Sequence, residues 1–492
     1  MSSYRQIFKS TALVGGTQVL TTIIGIARTK ALAVMLGPSG MGLAGLFMSA
    51  TDLVGVVAGL GIVRSGVRQI AEAAATGDQH CVARTVTTLR YTALLSGILG
   101  TLLVVCFCVP ISRLTFGDEK HAWGIAVVSL TLVLGNISSG QIALLQGLRR
   151  LKEMAFAQII GAIFGTVVSI VLVYSLRERG VAWFLVAIAA FGILTSWWFA
   201  RQVPLPQVSF HWRELVVEAR GLVGMGLAFM TSGLAAGGVA YVSRAMIVRQ
   251  LGLDAAGLFQ ATWSLSTYYV NFILGAMFAD FAPRLTGVEK NNPAVNRMVN
   301  EQVEMGVLVA LPGVVATLLL APWVLQIFYS KDFVSASDII QWQVIGVFLR
   351  VVCWPLGVVV VAKGKSKLYM AIEITFGVLN IALLYVCTKV WELKGVGIAF
   401  AVFYMIVTIG LYGVCRSLSG FAWSGRCIKI LLPGCMALAA VFCATAFLPV
   451  FWSLLLGGAL TVAVTIGCLI GLQKLMNISL WQTVRRKVSP TN

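Results

Sequence analysis

Charge is what this chain has least of. Only 11% of its 492 residues are charged, against 59% hydrophobic, which excludes an ordinary soluble domain, where about a quarter are charged. Histidine is scarcer still: His80, His121 and His211 all lie in connecting segments. The ten cysteines lie mostly inside apolar runs (Cys106, Cys108, Cys353, Cys387, Cys435, Cys443, Cys468). Their spacing fits neither a zinc site nor a disulfide framework, so no metal centre is expected and no cofactor is implied. The outer connections are short, segment 111–121 being typical, which leaves no room for a catalytic domain and excludes a Ser/His/Asp enzyme. Gly364-Lys365-Ser366 resembles the end of a P-loop, but Val359 stands where its first glycine belongs.

Long apolar runs take the place of charge. Runs of twenty or more such residues recur from end to end, each long enough to cross a hydrocarbon core about 30 Å thick. They are continuous rather than alternating, so helices and not barrel strands satisfy the backbone. The first run, 11–36, is too long for a signal-peptide core and lacks a cleavage site after a shorter one. It is read as an uncleaved first span. The fold class expected is an all-α polytopic membrane protein with about 14 transmembrane helices.

The net charge of +19 has a topological explanation. With the N-terminus in the cytoplasm, inner segments and the span ends adjoining them carry 25 of the 37 Lys and Arg, and outer segments 7. That asymmetry puts both termini inside and removes the need for a nucleic-acid partner. Five basic residues remain within spans: Arg28, Lys30, Arg244, Arg249 and Arg350. Asp52 and Glu373 are the clearest buried acids there, so the spans carry a positive surplus.

An internal repeat runs through the chain. Leu36-Gly37 followed by Gly42-Leu43 recurs as Leu251-Gly252 followed by Gly257-Leu258, at an offset of 215. Gly180-Val181 recurs as Gly395-Val396 at the same offset, and the basic corner Gly147–Lys152 matches Gly364–Lys367 at an offset near 216. Two six-helix repeats in one orientation follow, related by an axis along the membrane normal with a site between them. The division expected is an N-terminal unit 1–203, an amphipathic cytoplasmic linker 204–220, a second unit 221–416, two appended spans within 427–476 and a basic tail 477–492.

A charged side chain in mid-bilayer costs at least about 2.5–3.5 kcal/mol, so each should face a cavity or a partner. At 100° per residue, Thr17, Gln18, Thr21, Gly25 and Arg28 share one stripe, while Lys30 projects to the opposite side. Gln343, Gly346, Arg350, Trp354 and Gly357 form a second stripe, and Gln260, Trp263, Ser264, Thr267 and Asn271 a third. Tyr369, Glu373, Phe376, Gly377 and Asn380 form a fourth, and Asp52 lies among Gly45, Ser49, Gly55 and Gly59. Small and polar residues also serve simply as helix glue, as in Gly55-x-x-x-Gly59 and Gly161-x-x-x-Gly165. The surplus of basic residues is different, because two acids cannot neutralise five. Arg28, Arg244 and Arg350 are therefore expected to face a wet cationic cavity, with Arg249 as well placed to reach the interface. Guanidinium forks suit phosphate, and Trp, Tyr, Gln and Asn suit sugar rings. Asp52 and Glu373 are open to two readings, as proton or sodium sites or as partners of neighbouring arginines.

A family resemblance rests on particular residues. Lys30-Ala31-Leu32-Ala33-Val34, then Gly37-Pro38-x-Gly40-x-Gly42-Leu43, resembles the opening of Wzx-type flippases for lipid-linked oligosaccharides. These are the O-antigen and lipid III translocases of the multidrug/oligosaccharidyl-lipid/polysaccharide (MOP) superfamily. A second block runs through Asp338, Trp342-Gln343, Gly346, Leu349-Arg350-Val351, Ala362-Lys363, Tyr369 and Glu373, and a third through Tyr269, Phe272, Pro283, Leu285 and Thr286. The resemblance implies two six-helix lobes in a V, here with two extra C-terminal helices, and alternating access. It implies movement of an undecaprenyl-pyrophosphate-linked glycan of O-antigen or enterobacterial-common-antigen type from the cytoplasmic to the periplasmic leaflet of a bacterial inner membrane. An ion gradient of protons or sodium would drive it, among membrane lipids and alongside a polysaccharide polymerase and chain-length proteins. It adds Lys30 and Lys363 to the cationic positions. The rivals are a lipid II-type peptidoglycan-precursor flippase and a MATE-like drug/ion antiporter, the latter expected to want an acidic cavity.

Overall fold

The computed structural model describes the backbone of residues 3–59, 61–206 and 212–476. Side chains within these are described except at 3–12, 62–64, 212–229, 231–232, 269, 271–273, 276, 278–279 and 476. Asn271, Tyr269 and Phe272, the polar and apolar faces of the 204–220 linker, and the tail 477–492 thus lie outside the described side chains or residues.

The described residues form sixteen α-helices and no strand. They are α1 (Ser3–Gly59), α2 (Ile62–Ala75), α3 (Gln79–Cys106), α4 (Cys108–Phe116), α5 (Ala122–Val128) and α6 (Leu130–Gly147). Then follow α7 (Leu151–Leu176), α8 (Gly180–Ala200), α9 (Trp212–Leu251), α10 (Leu253–Gly287) and α11 (Asn292–Leu319). The last are α12 (Ala321–Phe328), α13 (Ser337–Ala362), α14 (Ser366–Ser419), α15 (Gly425–Phe447) and α16 (Val450–Met476). Among the described residues, nine helical stretches are long and apolar enough to cross a membrane. Three of them, Leu13–Gly59, Leu151–Ala200 and Ser366–Ser419, run to 47, 50 and 54 residues, about twice the 20 or so that one crossing needs. Each is broken near its middle: at Gly37, at the 3-10 turn Arg177–Arg179, and at Trp391-Glu392. The protein is a multi-pass membrane protein.

The repeat read from the sequence recurs in the backbone. Gly37 and Gly252 both adopt positive φ (65° and 89°), as do Arg149 and Gly364 (57° and 67°) and Arg177 and Glu392 (52° and 47°). Each pair is separated by 215 residues. Arg177 and Glu392 also share ψ −128°. The two basic corners close with the same pair of hydrogen bonds: Arg149 N–H to the Gln146 carbonyl and Arg150 N–H to Leu145, matched by Gly364 N–H to Val361 and Lys365 N–H to Val360. Such paired bonds are the usual way a helix ends on a left-handed residue. The hairpins match as well: a Cβ at Gly180 would meet Leu172 and Val173, and one at Gly395 would meet Cys387 and Thr388.

Contacts divide the chain into two units, residues 1–260 with 328–332, and residues 261–327 with 333–492. The boundary falls inside α10, so the helix opening the second repeat (α9) and the first turns of the next belong to the first unit. There α1 and α10 cross backbone to backbone. A Cβ on Gly42 would stand 2.8 Å from the Gly257 nitrogen, and one on Gly257 would fall on the Pro38 carbonyl. Inside a bilayer there is little hydrophobic drive between helices, and close packing of small residues supplies it instead. Gly161 and Gly165 seat α7 on α8 in this way, where a Cβ would lie 2.9 Å from Thr195 Oγ1 and 3.4 Å from Ile188 Cα. An apolar cluster of Ile70, Val86, Leu89, Leu144 and Leu145 joins α2, α3 and α6.

In the second unit, Phe281, Leu285, Val299, Leu356, Val359, Leu411 and Phe421 form the corresponding core. A polar ladder on α11 docks the segment that leads to α15. Asn296 Nδ2 donates to the Ser419 carbonyl at 3.0 Å, and Ser419 Oγ donates to Asn296 Oδ1 at 2.8 Å. One and two turns on, Asn300 Nδ2 donates to the Ala422 carbonyl at 3.1 Å, and Ser424 Oγ donates to Glu304 Oε1 at 3.1 Å. Residues at i, i+4 and i+8 share a helix face, which is why three side chains of one helix can hold one connector.

Candidate functional site

The candidate site residues fall into both units, and each set has its own geometry. In the first unit, Arg28 is half-buried and Lys30 exposed, in keeping with their opposite projections on the helix. The hydroxyls that share the Arg28 stripe are committed to their own helix. Thr17 Oγ1 donates to the Leu13 carbonyl at 2.8 Å, and Thr21 Oγ1 to Thr17 at 3.0 Å. Their contribution is therefore to helix geometry.

Arg244 is held by two hydrogen bonds. Its Nε donates to Gln260 Oε1 at 3.0 Å, and its NH1 donates to the Ala240 carbonyl at 3.2 Å. The Phe259 ring lies 5.9 Å from the guanidinium carbon. Asp52, exposed on the second half of α1, supplies the opposing charge that Arg244 feels. Arg249 reaches back into protein: its NH2 donates to the Arg113 carbonyl at 3.0 Å. Nearby, the hydroxyls of Thr115 and Tyr241 hydrogen-bond, so α4 and α9 are tied twice. His121, just before α5, packs on Phe116 with ring centres 4.3 Å apart. Burial holds its imidazole below the ordinary histidine value.

In the second unit Arg350, Glu373, Tyr369 and Tyr404 come together. The Arg350 guanidinium lies 5.8 Å from the Tyr404 ring centre, within cation–π range. Tyr404 feels the charges of both Arg350 and Glu373, and Tyr369 hydrogen-bonds Glu373 one turn away. Glu373 is exposed and Asn380 half-buried on the same helix. Tyr404 was not singled out in the sequence; its signal there is a lone tyrosine at helical spacing from Phe400 among apolar residues.

The remaining sequence-derived positions have varied surroundings. Gln343 is wholly buried (0% exposed), where Oε1 accepts from Ser266 Oγ at 3.2 Å while Nε2 meets no partner. Trp263 and Thr267 are half-buried, and Trp263 meets Phe400 edge-on at 5.9 Å. Trp354 packs against Phe281 at 6.0 Å in the apolar core. Lys363 Nζ donates to Asn292 Oδ1 at 2.7 Å and to the Glu289 carbonyl at 3.0 Å, which ties the end of α13 to the connector before α11. Among the described residues the buried acid is Glu304, 4% exposed, with Arg426 Nε 3.5 Å from Oε2. It was not singled out in the sequence. Among the described residues no cluster of His, Cys, Asp and Glu could hold a metal ion.

The family of polysaccharide biosynthesis proteins matches residues 31–338, well over half of the chain. The chain belongs to that family. This member of the polysaccharide biosynthesis protein family is 26% identical over 370 residues to a lipid III flippase of Escherichia coli (strain K12), covering 71% of this chain and 84% of the relative. It is 22% identical over 393 residues to a putative O-antigen transporter of Shigella flexneri, covering 78% and 91%. Among solved structures, an inward-facing multidrug resistance MATE family transporter of the MOP superfamily superposes with a TM-score of 0.69 at 16% identity, over 84% of this chain and 95% of the other. The lipid II flippase MurJ in its inward closed conformation gives 0.66 at 12% identity, over 94% and 99%. At such identities these two speak for the fold alone. The relatives are transport proteins, and this polysaccharide biosynthesis family member is a membrane transporter rather than an enzyme.

Proposed function

We propose that this protein is a flippase that carries an undecaprenyl-pyrophosphate-linked oligosaccharide, of O-antigen or enterobacterial-common-antigen type, from the cytoplasmic to the periplasmic leaflet. The observation that carries the reading is a half-buried arginine held in place: Arg244 Nε is fixed by Gln260, and Asp52 supplies an opposing charge. Arg350 lies 5.8 Å from the Tyr404 ring centre. Guanidinium groups kept in a bilayer at a cost of a few kcal/mol each need an anionic visitor or a cavity to justify them, and pyrophosphate is matched by their forked geometry. The names of the relatives support the same substrate class. In this reading Arg28, Arg244 and Arg350 bind the pyrophosphate, with Lys30 at the margin and Lys363 supporting the inner corner. Trp263, Thr267 and Asn271 contact sugar, and Glu373 with Asp52 couples transport to protons or sodium by alternating access. The same reading takes the chain to cross the inner membrane about fourteen times, as two six-helix lobes with an appended pair and both termini in the cytoplasm.

A lipid II-type flippase, whose pyrophosphate the same guanidinium groups would suit, is the second reading. A deletion strain separates the two. Loss of surface polysaccharide, with intact lipid-linked repeat units trapped on the cytoplasmic face and growth unaffected, is the expected result. Arrested peptidoglycan synthesis would favour the second reading. Normal polysaccharide with no accumulated intermediate, in a strain without a redundant flippase, would sink the first.

A further inference from the structure

We propose that Gln260 is the positioning residue of Arg244 and that position 45 is glycine to leave Gln260 room; this rests on reading Arg244 as an anion-binding residue. The argument begins with the internal repeat. Positions 42 and 257 are repeat equivalents, 215 residues apart, and they touch where α1 and α10 cross. Positions 45 and 260 are the next equivalent pair along that crossing, and they also touch. A Cβ on Gly45 would stand 2.8 Å from Gln260 Oε1 and 2.9 Å from Gln260 Cδ. The amide of one repeat thus occupies the space that a side chain of the other would need.

The same offset locates the equivalent of Arg244, which is Thr29. The first repeat therefore has Thr29 with Gly45, and the second has Arg244 with Gln260. Both members of the Arg–Gln pair are present in one repeat and both are missing from the other. A glutamine placed only to fill the crossing would have no reason to appear where the arginine does. The hydrogen bond supplies one: Arg244 Nε donates to Gln260 Oε1 at 3.0 Å.

That bond has a mechanical consequence. Nε sits at the root of the guanidinium fork and NH1 is tied to the Ala240 carbonyl at 3.2 Å. Two fixed donors, one to a different helix and one to its own, set the plane of the group. A neutral acceptor does this without cancelling the charge, whereas a carboxylate at 260 would. Arginine gains over lysine at a phosphate only when the fork is presented in a fixed plane. Gln260 is then a positioning residue for the anion rather than a sugar contact.

The test is binding of undecaprenyl pyrophosphate and undecaprenyl monophosphate by the purified full-length chain in detergent. Gln260→Met keeps the length of the side chain and removes the carbonyl. It is expected to weaken pyrophosphate binding about tenfold, the order of effect of losing one hydrogen bond to a charged group, and to lower the preference for pyrophosphate over monophosphate. Gly45→Ala, which pushes the amide aside, should do the same, and the double variant should be no weaker than either single one. Wild-type affinity and preference in Gln260→Met, with Arg244→Ala impaired, would reduce Gln260 to packing and overturn the proposal. Unchanged affinity in Arg244→Ala, or no binding by the unmodified chain, would overturn the anion-site reading itself and the role of Gln260 with it.

Discussion

Gly257→Ala is expected to remove most of the protein from the membrane. At this position the added Cβ would coincide with the Pro38 carbonyl, which is backbone and not a side chain able to swing away. The opposite glycine gives no relief, because a Cβ on Gly42 would press on the Leu253 carbonyl and stand 2.8 Å from the Gly257 nitrogen. Accommodation requires α1 and α10 to part, and overpacking that moves backbone costs about 1–3 kcal/mol or more. Since the crossing also seats Gln260 against Gly45, separation should disturb the Arg244 site as well. A marginally stable membrane protein that loses that much is cleared by proteolysis, so the steady-state level should fall several-fold. Gly238→Ala is the control on α9: a Cβ there meets nothing within 4 Å, and alanine in a helix should be neutral or slightly stabilising. Membrane levels and thermal unfolding in detergent read both. Equal levels for Gly257→Ala and Gly238→Ala would mean that the crossing is not as tight as described.

Arg350→Ala should cut transport at least tenfold while leaving the protein at normal levels. Arg350 is half-buried and its guanidinium meets the Tyr404 ring, with no ion pair at hydrogen-bonding distance among the described ones. Removing it therefore leaves no deeply buried, unpaired carboxylate behind, because Glu373 is exposed and keeps its bond with Tyr369. The fold should survive, and the loss should fall on the substrate. Arg350→Lys keeps the charge but not the planar fork, so partial activity is expected. Tyr404→Phe should be mild, since the ring face that meets the guanidinium is retained. Restoration of surface polysaccharide in a deletion strain, corrected for membrane level, measures all three. Full activity of Arg350→Ala would remove this arginine from the substrate path.

Much of this architecture was legible in the sequence, because the physics of a bilayer is strict. Twenty-residue apolar runs announce helices, and the repeat of Leu-Gly before Gly-Leu announced a duplicated elbow. The backbone then fixes the offset of the basic corner at 215, where the sequence suggested about 216. The discrepancy has a cause: Arg149 takes the left-handed conformation that Gly364 takes, so aligning glycines slips the register. Helical projection places Arg28 and Lys30 on opposite sides of their helix. Projection could not tell which neighbouring helix meets a stripe. Gln343 shares a stripe with Arg350, yet it is sealed against Ser266; Gln260 shares one with Trp263, yet it answers to Arg244. Tyr404 and Glu304 escaped notice because their partners come from distant segments. Pairings across helices are tertiary facts, and no single-helix pattern encodes them.

The central claim is that fixed intramembrane arginines move a pyrophosphate-linked glycan across the bilayer. The direct measurement uses the purified chain in liposomes carrying a labelled undecaprenyl-pyrophosphate-linked oligosaccharide, with a proton or sodium gradient imposed. Appearance of the label on the opposite leaflet is followed over time. The account predicts transfer well above that of protein-free liposomes, lost in the Arg244→Ala/Arg350→Ala double variant and weak for a neutral lipid-linked sugar. Transfer no faster than in protein-free liposomes under either gradient, from protein shown to be folded, would contradict it.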